Sequence, residues 1–298
     1  MTTTESVRFD GVNSPMGDFL RPEGFVGPRG LRALGREGSV ALEAARFLRR
    51  SREERRSRGD APYADPHRAA GLEPVLLVPG FMAGDATLAG MAAMLRGAGY
   101  RTYRSHIHVN VGCTREAADR LERRIESIAI RRGRKVSIVG HSLGGMLARG
   151  LAARRPDLIN GIVSMGSPIL APGAVHGILA WDADMLTRLA RAGFGGLMSE
   201  DCVAGSCARS SFEETKQPLD PEVGFTAIYS RRDGIVDWRA CVDPAAEPVE
   251  VPTSHVGMAF DPVVFDAVRE ALDRHQAVRA SRAAARDESV PLRPVANR

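Results

Sequence analysis

A serine, an aspartate and a histidine stand in this sequence where together they could activate a hydroxyl group. Ser142 lies in Gly140-His141-Ser142-Leu143-Gly144, the pattern Gly-x-Ser-x-Gly. A serine hydroxyl is a poor nucleophile at neutral pH. It needs a histidine base within hydrogen-bond reach, and the histidine needs a carboxylate to orient it. The chemistry is attack on a carbonyl carbon, with an acyl group carried briefly on the serine.

Three histidines follow Ser142. His176 falls in a long irregular stretch, and His275 at the end of a helical pattern. His255, in "VPTSHVGM", follows a strand-like run and precedes a capped helix, which makes it the candidate base. The acid should follow the preceding strand, where "TAIYSRRDGIVDW" offers Asp233 and Asp237. Asp233 is favoured because it comes immediately past the strand, where catalytic groups collect in open α/β sheets. Gly234 would permit the turn that aims it. Asp243 and Glu247 are more remote. An oxyanion also needs two N–H donors. Leu143, after the nucleophile, is one; Phe81 in "VPGFMAGD" is the other, with Met82 the runner-up.

The elements that must position these groups read as alternating strands and helices. "VLLVPGF", "KVSIVGHS" and "LINGIVSMGSP" are short apolar runs suited to strands buried on both faces, and "RTYRSHIHVN", "VGFTAIYS" and "PVEVPTSH" complete the set. "TREAADRLERRIESIAIRRG" and "LGGMLARGLAARRP" have helical spacing. A last helix, "DPVVFDAVREALDRH", starts with Asp261 as N-cap and Pro262 at its first position. This alternation predicts an α/β fold, a mostly parallel central sheet with helices on both faces.

Between Ile169 and Leu219 the alternation stops for roughly 50 residues, more than a connection needs. That stretch reads as a cap or lid insertion. Its apolar residues Trp181, Met185 and Leu186, with Met82 opposite, are the expected lining of a substrate pocket. Residues 1–70 read as a prefix with a helix from about Ser39 to Arg58. Residues 71–276 form the main domain, and 277–298 a basic, flexible tail.

Four motifs in order, "VLLVPGF", "GHSLGG", "YSRRDGIV" and "SHVGM", resemble the α/β-hydrolase superfamily, within it the bacterial lipase and esterase branch. The resemblance covers about Pro74 to His275. It implies the α/β-hydrolase fold, a Ser142-Asp233-His255 triad and no metal or organic cofactor. Many lipases carry His-Gly in the first loop, where this chain has Pro79-Gly80.

Composition narrows the partners. The net charge is +5, and of 41 basic residues only Lys135 and Lys216 are lysines. The densest basic runs, Ala45–Gly59 and Arg274–Arg286, lack interleaved aromatics, which argues against nucleic acid. Solvated helix faces, or peripheral contact with an anionic membrane surface, remain open for them. No window reaches the ~18 apolar residues of a membrane span, and the N-terminus lacks the pattern of a secretory signal, so a cytoplasmic location is expected. Metal binding is not expected. His106 and His108 share one face of a strand, but only Cys113 stands near them, and Cys202 and Cys207 lack the further ligands of a zinc site. A local Cys202–Cys207 bridge is possible in an oxidising compartment. Nothing in the sequence speaks to oligomeric state.

The leading expectation is a serine carboxylic-ester hydrolase acting on acyl-chain or lipid-like esters. An acyltransferase or thioesterase would use the same triad. A non-catalytic binding module of the same fold would have no need for Ser, Asp and His together.

Overall fold

The computed structural model describes residues 8–9, 12–13, 16–58 and 73–288. Most of the N-terminal stretch, most of the loop read from Arg58 to Pro74, and the end of the basic tail lie outside the described residues.

Six parallel strands form the central sheet: β1 (Pro74–Val78), β2 (Arg101–Arg104), β3 (Val136–His141), β4 (Ile159–Met165), β5 (Gly224–Tyr229) and β6 (Glu247–Glu250), in the order β2-β1-β3-β4-β5-β6. Seven longer helices accompany it: α1 (Val40–Arg58), α2 (Ala89–Gly97), α3 (Thr114–Arg132), α4 (Leu143–Arg154), α5 (Gly177–Arg191), α6 (Ser206–Lys216) and α7 (Pro262–Glu288).

Successive strand residues point to opposite faces, so the continuous apolar runs divide between two cores. Leu76, Val78, Ile138 and Ile162 pack with Leu121, Ile125 and Leu151 of α3 and α4. Val75, Leu77, Val139 and Val163 pack with Met91 and Leu95 of α2 and Phe265 and Leu272 of α7. The inner strands β1 and β3 are buried along their whole length because neither face meets water, whereas the edge strands β2 and β6 carry charged residues.

Two expected strands are shorter than their sequence pattern. After Arg104 the Asp85 carboxylate accepts hydrogen bonds from Ser105 N (3.0 Å), Ser105 Oγ (2.6 Å) and His106 N (2.9 Å), which draws the chain out of the sheet. His106 has a positive φ of 67°. His106 and His108 therefore do not share a strand face, and the half-site imagined there does not form. The last strand ends at Glu250, before the segment that carries His255.

Helix α1, in the segment read as a prefix, packs on the main body. Phe47 meets the Phe265 ring edge-on at 6.2 Å, and the Arg50 guanidinium binds both carboxylate oxygens of Asp266 at 2.6 and 3.0 Å.

At the other end, α7 runs past His275, where the sequence reading ended it, to Glu288. The physical reason lies in two side chains. His275 is buried against Gly161 and Gly224, with Nε2 3.0 Å from Thr226 Oγ1, and burial, with Arg279 and Arg274 nearby, lowers its pKa to about 4. One turn on, Arg279 Nη2 donates to both oxygens of Glu73, 2.7 and 2.6 Å away, beside Ser137 Oγ at 2.6 Å from the same carboxylate. Part of the basic run is thus spent inside the fold. Arg279→Ala should destabilise the protein by about 1.5–3 kcal/mol, the range for a hydrogen-bonded charge, because the nearly buried Glu73 loses its cation. Urea unfolding checks this; a change under 0.5 kcal/mol would mean the end of α7 is merely surface.

Candidate active site

The central strand β3 ends on His141, and Ser142 turns the chain into α4 with φ 51° and ψ −120°, a conformation L-residues seldom adopt. Two glycines make the turn possible. A Cβ at Gly140 would meet the backbone of Gly144 and Gly145, and one at Gly144 would run into the Val78 carbonyl. The Ser142 N–H donates to Met165 O at 2.8 Å, tying the turn to β4. This local geometry is a nucleophile elbow.

Asp233 follows β5 and is buried. Its Oδ1 accepts from the N–H groups of Ile235 and Val236, both at 2.8 Å, which fixes the carboxylate plane. Its Oδ2 lies 2.7 Å from His255 Nδ1. Asp237 is committed elsewhere. Its oxygens accept from Val26 N (3.0 Å), Arg239 N (3.1 Å) and the Arg239 guanidinium (3.0 and 2.8 Å). Asp243 binds buried Arg149 at 3.1 Å, and Glu247 binds Arg274 at 3.1 Å. His176 caps α5, its Nδ1 accepting from Ile178 N at 3.2 Å. Of the candidate acids and bases, Asp233 and His255 are the pair brought together.

His141 joins the elbow to the base. Its Nε2 lies 3.0 Å from the His255 carbonyl, so the neutral ring donates there, and the two imidazoles are 5.0 Å apart. Burial, then the charge of His255, lowers the His141 pKa to about 3, so it stays a neutral donor. The Ser142 hydroxyl makes no hydrogen bond among the described residues; such contacts commonly close only when substrate binds.

Both expected oxyanion donors are unspent. The N–H groups of Leu143 and Phe81 have no hydrogen-bond acceptor among the described residues. The Met82 N–H is taken by Asn110 O at 3.0 Å, which removes the runner-up. Asn110 also donates through Nδ2 to Pro79 O at 3.0 Å, so a buried asparagine holds this loop in place of any histidine.

Two carboxylates that sequence reasoning missed organise the loop of the base. Glu37 Oε1 accepts from Gly234 N (2.9 Å) and His255 N (3.0 Å), and its Oε2 from Val256 N (3.1 Å). Glu43, wholly buried, accepts from Ser254 N (2.8 Å) and Ser254 Oγ (2.6 Å). Gly234 is needed here because a Cβ would collide with the Ala33 carbonyl, so its role is close approach.

The site opens on a cavity of about 140 Å³, lined by Phe81, Ser142, Leu147, Leu179, Ala183 and Phe212 among others. Such a volume matches engineered apolar cavities that hold benzene. The expected pocket residues are not in its wall. Met82 and Trp181 are 52% and 58% exposed, Met185 is 38% exposed, and Leu186 packs beside Met198 and Val203. The reason is helical register: Leu179 and Ala183, four apart, face the cavity, and Trp181 and Met185 lie on the opposite side of α5. All four cysteines are free thiols, so the Cys202–Cys207 bridge is not formed.

Residues 74–197 match a family model described as the alpha/beta hydrolase fold. The chain has the α/β-hydrolase fold. Solved structures of that fold resemble it. The mature form of a Bacillus licheniformis lipase superposes with a TM-score of 0.51 at 14% identity, covering 69% of this chain and 92% of the other. The propeptide form gives 0.53 at 16%, covering 69% and 50%. No curated protein matches the chain by sequence. No helix among the described residues is long and apolar enough to cross a membrane.

Burial opposes protonation of His255, but the carboxylates of Asp233 and Glu37 outweigh it and raise its pKa above 6.5. Glu37→Gln removes one negative charge and keeps one carbonyl acceptor. The His255 titration should then move to lower pH, read by NMR of its ring protons. By linkage, stability contributed by protonated His255 is full below pH 6.5 and is lost as pH rises through the raised pKa; the variant should lose less over that window. An unmoved titration would mean Glu37 acts only through its hydrogen bonds.

Proposed function

We propose that this α/β-hydrolase-fold protein is a serine carboxylic-ester hydrolase for esters of short to medium acyl chains. The observation that carries this reading is the 2.7 Å Asp233–His255 pair, joined through His141 to Ser142 at a strained elbow beside an apolar cavity. His255 takes the Ser142 proton as the hydroxyl attacks the ester carbonyl. Asp233 holds the Nδ1–H tautomer and stabilises the imidazolium. The N–H groups of Leu143 and Phe81 receive the oxyanion, at the start of α4 where the helix dipole favours negative charge. His255 then protonates the leaving alcohol and activates water against the acyl-enzyme.

The fold likeness to a bacterial lipase supports an esterase or lipase reading, and the cavity supports an acyl substrate. Thioester cleavage and acyl transfer use the same groups, so substrate panels should carry matched esters and thioesters. The exposed row Ile178, Trp181, Met185 and Leu189 on α5, beside Arg188 and Arg191, favours peripheral contact with a lipid surface as a second property.

Ser142→Ala should lower ester hydrolysis by about 10⁴–10⁶ without loss of fold, and Asp233→Asn by about 10³–10⁴ through the wrong histidine tautomer. Asp237→Asn should cost far less. Near-normal turnover by purified Ser142→Ala, or a fluorophosphonate probe that fails to label Ser142, overturns the reading.

Chain length tests the cavity. Each buried methylene contributes about 0.8 kcal/mol, so kcat/KM should rise roughly a hundredfold from acetyl to about hexanoyl esters if this is realised in the transition state. Ala183→Phe fills the cavity and should flatten that rise while sparing acetate. A slope unchanged by Ala183→Phe places the acyl chain elsewhere.

A further inference from the structure

Three of the four cysteines converge from separate elements. Cys113 is the N-cap of α3, Cys202 lies in the short helix Glu200–Val203 of the cap, and Cys207 is near the start of α6. Their sulfur atoms all lie within 4.8 Å of one another, with Cys113 Sγ and Cys207 Sγ 3.5 Å apart. The sequence reading set Cys113 beside His106 and His108 and left Cys202 and Cys207 without ligands to join them. The fold instead brings Cys113 across to the cap cysteines.

We propose that Cys113, Cys202 and Cys207 form a binding site for one thiophilic d¹⁰ metal ion, zinc(II) or copper(I), that fastens the cap to α3. Three sulfurs held about 2.3 Å from one ion lie about 3.8–4.0 Å apart, and the observed spacing brackets that value. Soft thiolate donors select zinc and copper(I) over harder ions. Packing of small buried side chains is a poor alternative, because Cys113 and Cys202 are only half-buried.

Backbone donors surround part of the cluster. The N–H groups of Arg115 and Glu116, in the first turn of α3, face the Cys113 sulfur. Asp201 fixes the approach of α6 by accepting from Ser206 N at 2.7 Å and Cys207 N at 3.2 Å. Arg115 lies near Asp201 and offsets negative charge there. Each binding thiol releases its proton to solvent, and no electron is transferred. The fourth position on zinc would take water; copper(I) needs three ligands only.

Cys202 lines the same cavity as Ser142, so a bound ion would fix part of the cavity wall. The site itself does not depend on the proposed hydrolysis. Its test therefore uses spectroscopy rather than activity.

Reduced, metal-free, full-length protein is titrated with cobalt(II). A thiolate-to-cobalt charge-transfer band that saturates at one equivalent per chain is expected. Zinc(II) against a chromophoric chelator, and copper(I) against bicinchoninate, show which ion binds tighter. Cys113→Ser and Cys202→Ser, both at half-exposed positions, should each weaken binding by more than the ~100-fold that loss of an outer hydrogen bond can cost. Cys241→Ala should leave it intact. Absence of a thiolate band, or a band that survives both serine variants, overturns the proposal. So does recovery of the chain with a Cys113–Cys207 disulfide and no metal binding after reduction.

Discussion

Ser254 and His255 are buried, and buried N–H groups must find acceptors. Residues 254, 255 and 256 all present theirs to two glutamates from the segment before the sheet, Glu43 and Glu37. The constraint reaches further than the loop. Glu37 also takes the Gly234 N–H, so one carboxylate clamps the segment holding Asp233 to the segment holding His255. Asp233 and His255 come from loops after different strands, and their 2.7 Å contact depends on this shared acceptor as much as on either loop. The first helices are therefore part of the site's frame. Two ion pairs from α1, Arg46 to Asp261 just before α7 and Arg50 to Asp266 within it, hold that frame in place.

Strain is placed on the opposite wall of the site. Ser142 and Met82 both have positive φ, at 51° and 56°, and they flank the N–H groups of Leu143 and Phe81, which have no acceptor among the described residues. An αL or related conformation costs about 1–3 kcal/mol and persists only where neighbours over-determine it. Here the neighbours are Asn110 for the first loop, and Met165 with two glycines for the elbow. A Cβ at Gly80 would lie 3.1 Å from Ser142 Cβ, so the two strained turns touch. The strain keeps a pair of backbone donors pointing where neither a helix nor a strand would use them.

Much of the sheet was legible because burial on both faces leaves a plain mark: apolar runs such as Val75–Val78, and Ile162–Met165 broken only by Ser164. Ser142 and the order of the acid and base loops were legible for a related reason, since an elbow needs glycines at fixed offsets. What escaped was set by distance in the chain. Glu37 and Glu43 sit in a charged stretch where a buried acceptor looks no different from a solvated one, and their partners at residues 254–256 lie more than two hundred residues away. The meeting of Cys113 with Cys207 was hidden in the same way. The end of strand β2 was missed because alternation continues through "SHIHVN", while the side chain that stops it, Asp85, belongs to another loop.

The segment between Ile169 and Leu219 shows a different limit, one of phase. Trp181, Met185 and Leu186 were expected to line the pocket, but α5 carries two apolar faces. Leu179 and Ala183 turn to the cavity, and Ile178, Trp181, Met185 and Leu189 remain exposed. Composition cannot rank the two, because the larger side chains stand on the outside. What decides is the anchoring of the N-terminal end of α5: His176 caps the first turn and its N–H donates to Ile235 O at 2.6 Å, beside the loop of Asp233. That bond sets the rotation of α5, and with it small residues face the cavity. A cavity of about 140 Å³ survives under the cap because Ala183 is there, where a tryptophan would have closed it. The loop that holds Asp233 thus also sets the room in the cavity beside Ser142.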